Sequence, residues 1–132
     1  MACEIEFEVI NMVPKELPVT SENGTITVDL MGYDPLTPNE FPDFASVQGL
    51  QDLRFFSNYL EEIPDGFCEG KQLQTLIMTC SPIKPDNGLL RLPTQFSCFS
   101  CLEELHLVGN HFESFPMPIC DLKSVKKLFM DN

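Results

Sequence analysis

Leu102-x-x-Leu105-x-Leu107-x-x-Asn110-x-Phe112-x-x-Phe115-Pro116-x-x-Ile119-x-x-Leu122 is the stretch whose reading decides the fold. Leu105 and Leu107 alternate, as on the buried side of a short strand. After Asn110 the apolar spacing widens to three and four residues, which suits a segment that returns to the start of another strand. A single unit of this kind cannot bury its own apolar side. It needs copies stacked against it.

The copies are present. Upstream, Leu50-x-x-Leu53-x-Phe55-x-x-Asn58-x-Leu60-x-x-Ile63-Pro64-x-x-Phe67 fits the same frame. It fits again at Leu73, Leu76, Met78, Ser81 and Ile83, resuming at Leu92-Pro93-x-x-Phe96-x-x-Phe99, and a last unit opens with Val125, Leu128 and Met130. The steps are 23 residues from Leu50 to Leu73, 29 from Leu73 to Leu102, and 23 from Leu102 to Val125. The longer step is a regular one with six extra residues between Ile83 and Leu92, and both flanks keep their register. A degenerate unit precedes these, with Thr25, Val28 and Leu30, then Phe41-Pro42, Phe44 and Val47. Units therefore start near 25, 50, 73, 102 and 125, and the last is incomplete.

The ninth position of each unit takes a side chain that bonds the backbone where the chain leaves the strand. Asn58 and Asn110 suit that role, Ser81 suits it partly and Tyr33 poorly, so the first and third units are expected to be less regular. Pro64, Pro93 and Pro116 fix φ where the chain turns back.

This pattern resembles the leucine-rich repeat, in particular the 23-residue form of the Ras-suppressor and plant intracellular Ras-group-related types. The resemblance covers about residues 25–132. It implies an α/β-type repeat, a right-handed β-α solenoid. Short parallel strands would line the concave face and irregular, 3-10 or helical segments the convex one. It also implies a protein-interaction module, such as a scaffold, adaptor or regulator. The motif itself is structural.

Residues 1–24 lack the motif. Ile5, Phe7 and Val9 alternate with Glu6 and Glu8, a one-faced strand that could pair with Thr25–Leu30 and cap the array. A solvated acidic tail is the other reading. At the far end the chain stops inside a unit, so either it is cut from a longer array or this open strand edge meets a partner, self-association included.

The net charge is -12. Before residue 50, nine acids stand against Lys15 alone. Such a surface repels phosphate backbones and anionic headgroups, so neither nucleic acid nor membrane is an expected partner. No leader is apparent, nor any apolar run approaching the roughly 20 residues of a membrane span. A cytoplasmic location follows as an expectation, with the six cysteines as free thiols.

Cys98-x-x-Cys101-x-x-x-x-His106-x-x-x-x-His111 imitates zinc-ligand spacing. The repeat frame argues against it, because Cys101 and His106 lie about 16 Å apart along an extended chain, whereas zinc bonds are about 2.0–2.3 Å. A Cys80–His106 nucleophilic pair would sit on neighbouring strands, but Cys80 falls where its strand ends. Cys68 and Cys120 share a repeat position that suits packing. There is no Gly-rich phosphate loop. No catalytic residue, metal or cofactor is assigned, and no enzyme activity is expected.

The non-consensus strand positions project from the concave face. They place Met31, Phe56, Ile77, Val108 and Phe129 in a ragged apolar stripe bordered by Asp29, Asp52, Arg54, Glu104 and His106. An apolar centre with a charged rim is the anatomy of an interface. The insertion, with Asp86, Asn87, Leu89 and Leu90, is a second candidate, either as a partner-binding loop or as a segment that tucks a leucine over the core. A second function stands beside the first. Cys3–Ile10 resembles the opening strand of leucine-rich-repeat cullin receptors, which implies substrate recognition for a ubiquitin ligase.

Overall fold

The computed structural model describes residues 14–64, 66–69, 72–81 and 88–131. Six strands form one sheet in sequence order: β1 (Val19–Glu22), β2 (Thr25–Asp29), β3 (Leu50–Phe56), β4 (Thr75–Thr79), β5 (Glu104–His106) and β6 (Lys127–Phe129). β1 and β2 are antiparallel, and every later pair is parallel. The helices among the described residues are short 3-10 turns.

The strands align by repeat position. Val28, Leu53, Leu76, Leu105 and Leu128 lie in one row across the sheet. The first four are essentially inaccessible, whereas Leu128 on the outermost strand is 38% exposed. A second inward row pairs Phe55 with Met78, both fully buried. The order of the units is thus the order of the strands, because each strand can bury its leucines only against the next.

The return segments are built by proline. The N–H groups of Phe67, Phe96 and Ile119 donate to the carbonyls of Pro64, Pro93 and Pro116, each three residues back. Those bonds open the 3-10 turns Phe67–Glu69, Thr94–Cys98 and Met117–Asp121. Proline suits the site because its φ is already near the required value and it has no N–H to satisfy. The aromatic positions of the turns then meet in the interior. Phe44 stacks on Phe55 with centroids 5.7 Å apart, and Phe67 meets Phe99 edge-on at 5.6 Å.

Two expectations change at the amino-terminal edge. The strand beside β2 is Val19–Glu22, not Ile5–Val9, which lies outside the described residues. With β3 on its other side, β2 has no free edge for a third strand. The hairpin turns on Asn23 and Gly24, whose φ values are 52° and 81°. Two successive positive φ values define the tight turn that Asn-Gly favours between paired strands. The register also shifts between Ile26 and Thr27, an irregularity in the first unit.

Candidate interaction surface

The outward rows of the sheet follow from the same register. One row runs Thr27, Asp52, Thr75, Glu104 and Lys127, and the next runs Asp29, Arg54, Ile77, His106 and Phe129. Phe56 sits beside Thr79 in a third row. The apolar residues therefore stand in more than one row. Ile77 and Phe129 share a row with His106 between them, while Phe56 is offset along the strand. Met31 follows the end of β2, where its N–H donates to the Asp29 carboxylate at 2.9 Å. Val108 follows the end of β5 and is exposed.

Two pairs of ionisable side chains form within this face. The Arg54 guanidinium donates twice to the Asp52 carboxylate, at 3.0 and 2.9 Å. The two lie two residues apart on β3, so strand alternation alone puts them on one side. That hydrogen bond, reinforced by the nearby carboxylates of Asp29 and Glu104, holds the Arg54 pKa above its ordinary value against the opposing effect of burial. On β5 the same spacing joins His106 Nε2 to Glu104 Oε1 at 2.9 Å. This hydrogen bond holds the Glu104 carboxyl below its usual range. The His106 ring stacks on Phe129, with centroids 4.3 Å apart and planes 20° apart. Sequence reading named all six of these residues except for their pairing, and the i, i+2 spacing of opposite charges was the available signal.

The insertion reads differently in the structure. Asp86 and Asn87 lie outside the described residues. Leu89 is fully buried and its N–H donates to Asn110 Oδ1 at 2.9 Å, so it belongs to the core and not to a binding surface. Leu90 is half-buried, and its N–H donates to the Glu61 carbonyl.

The asparagine ladder is formed. Asn58 Oδ1 accepts the Ser81 N–H at 2.7 Å and its Nδ2 donates to the Ser81 carbonyl at 3.1 Å. Asn110 Nδ2 donates to the carbonyls of Met78 and Leu107, while its Oδ1 accepts from Ser57 Oγ at 2.7 Å.

The cysteines divide by environment. Burial pushes the Cys68 thiol up to about 12. Cys120, at the same repeat position, is exposed, which corrects the expectation that both pack. Cys80 Sγ lies 3.5 Å from Asn110 Oδ1, and burial raises its pKa, the opposite of what an activated nucleophile requires. His106 Nε2 meanwhile faces Glu104, so the Cys80–His106 pair is not assembled. Among the described residues no three His, Cys, Asp or Glu side chains cluster as a metal site would need. No helix among them is long and apolar enough to cross a membrane.

No protein-family model matches the chain. Over 96 residues it is 31% identical to the Leucine-rich repeat and IQ domain-containing protein 4 of Mus musculus. The match covers 73% of this chain and 15% of that protein. A limited sequence similarity thus points toward the leucine-rich repeat, and with it toward a role in protein interaction. The chain spans only a small part of the relative's length.

Proposed function

We propose that this chain is a leucine-rich-repeat solenoid of the 23-residue type, wound as a right-handed coil, and that its strand face binds a protein partner. The observation that carries the reading is the row Arg54, Ile77, His106 and Phe129, brought side by side on four successive strands from positions as much as 75 residues apart in sequence. Apolar and aromatic side chains alternate along it with charged or polar ones that already hold hydrogen-bond partners, Arg54 with Asp52 and His106 with Glu104, so a partner could cover it without burying an unpaired charge. Free thiols on Cys68, Cys80, Cys98, Cys101 and Cys120 suit a reducing, cytoplasmic setting. The module acts by recognition and not by catalysis.

The test is paired substitution on this face. Phe56→Glu with Ile77→Glu is expected to abolish partner capture from lysate while the fold survives, and capture that persists overturns the reading. The ubiquitin-ligase alternative rests on residues 3–10, outside the described residues, and no observation favours it over the simpler module.

A further inference from the structure

β3, β4 and β5 lie in the middle of the sheet, each paired with a strand on both sides. Across their outward side one row runs Asp52, Thr75 and Glu104, and the next runs Arg54, Ile77 and His106. Neighbouring strands are about 4.8 Å apart, so Asp52 and Glu104 stand about 10 Å apart with Thr75 midway. Arg54 is engaged by Asp52, and Lys127 stands on the far side of Glu104 from Thr75. The place over Thr75 is thus bordered within its row by two carboxylates and no cation. Asp29, beside Arg54 on β2, adds a third negative group. A carboxylate has about four lone-pair sites, so the bonds to Arg54 and His106 leave Asp52 and Glu104 able to accept more. Their side chains are 16% and 34% exposed. They are reachable from outside, yet sheltered enough that water screens them less than a free surface charge. The neighbouring ground is apolar: Ile77 two residues along β4, and Phe56 beside Thr79.

We propose that the partner offers this face an extended basic segment, with a lysine or arginine over Thr75 between Asp52 and Glu104. The proposal rests on the strand-face reading above and names the partner's chemistry. An ammonium brings three donors and a guanidinium five, enough to bond both carboxylates and the Thr75 hydroxyl. A segment lying along β4 has the same two-residue repeat as β4 itself. A basic side chain over Thr75 therefore puts the residue two positions away over Ile77, and the one after that over Thr79 and Phe56. The expected signature is a basic residue with aliphatic or aromatic ones two and four positions from it. An acidic segment would meet Asp29, Asp52 and Glu104 on a chain whose net charge is -12. A wholly apolar one would cover the carboxylates without offering them a donor, which is costly. Charge complementarity selects the occupant.

Panning a display library of random dodecapeptides on the full chain tests this. The retained peptides are expected to carry the basic–apolar spacing, in either direction, at several-fold its frequency in the library. For the tightest of them, Thr75→Lys places the chain's own ammonium between the carboxylates and is expected to weaken binding at least tenfold without removing an acid. Asp52→Asn with Glu104→Gln should do the same. Glu61→Gln with Glu113→Gln changes the net charge equally at two exposed positions of the return segments, and should alter affinity less than twofold. Unchanged thermal midpoints show that each variant folds. Retained peptides that are neutral or acidic, no retained peptide, indifference to Thr75→Lys, or an equal loss in the Glu61 and Glu113 variant overturns the proposal. A chain that instead self-associates through this face, as a sedimenting dimer that Thr75→Lys dissolves, does so equally. Neutral or acidic peptides that still need Phe56 and Ile77 sink this proposal and leave the strand-face reading standing. Peptides indifferent both to Thr75→Lys and to Phe56→Glu with Ile77→Glu sink both.

Discussion

Asn110 reaches across a unit boundary to the carbonyl of Met78, with Nδ2 2.7 Å from the oxygen. The same side chain bonds the Leu107 carbonyl, the Leu89 N–H and the Ser57 hydroxyl. It therefore joins three units and the segment after the insertion. Asn110→Ala leaves several of these groups without partners at once. Each such loss costs about 1–3 kcal/mol, so denaturant unfolding should show a destabilisation of roughly 3 kcal/mol. A loss below 1 kcal/mol would show that the ladder is dispensable.

Leu105 and Leu128 occupy the same row and differ only in cover. Leu105→Ala should cost about 2–5 kcal/mol, the range for deleting a buried leucine. Leu128→Ala should cost less than about 1 kcal/mol, because much of its surface is already in water. Equal losses, measured by chemical denaturation of the monomer, would mean that the edge strand is as well packed as the interior.

Gly109 has φ of +85°, and an added Cβ would come 3.1 Å from the Cys80 Cβ. Gly24 has a similar φ of +81° with open space around it. Alanine at Gly24 carries the left-handed strain alone, about 1–2 kcal/mol. Alanine at Gly109 adds the close contact, so its thermal midpoint should fall further than that of Gly24→Ala.

The Cys68 thiol, held up to about 12 in the folded chain, ordinarily titrates at 9.0. A group whose folded pKa is raised adds stability that is complete below its unfolded value and lost as pH climbs through the folded one. Between pH 9 and 12 the chain should therefore lose stability relative to Cys68→Ala, by at most about 1.4 kcal/mol per pH unit. Parallel pH profiles for the two proteins would remove the assignment. Alkylation gives a second readout: Cys98, Cys101 and Cys120 are exposed and should react well before Cys68.

For the strand face, Phe56→Glu with Ile77→Glu should leave the thermal midpoint within a few degrees. Both side chains are half-buried on the outward side and neither belongs to the core. A large drop would show that these residues serve packing, and binding data from the variant would then say nothing about the surface.

Repeat spacing made the strand order and the inward rows legible before any coordinates, because Leu53, Leu76 and Leu105 have only one way to be buried together. It also marked Asn58 and Asn110 as backbone binders. The Asn23-Gly24 turn between Val19–Glu22 and Thr25–Asp29 was equally legible from its dipeptide, but the alternation at Ile5–Val9 is a stronger strand pattern than Val19–Glu22 and competes for the same edge.

What the sequence determined by itself is the period, and the period is local: it states which residues recur and hence which sides must be hidden. Tertiary structure alone decided the pairing of Arg54 with Asp52, the stacking of His106 on Phe129, the burial of Leu89 and the exposure of Leu128. Those depend on strand register, on where the insertion closes back, and on whether a neighbour covers a given row. Such distances are set between units, and no repeat frame read along one chain contains them.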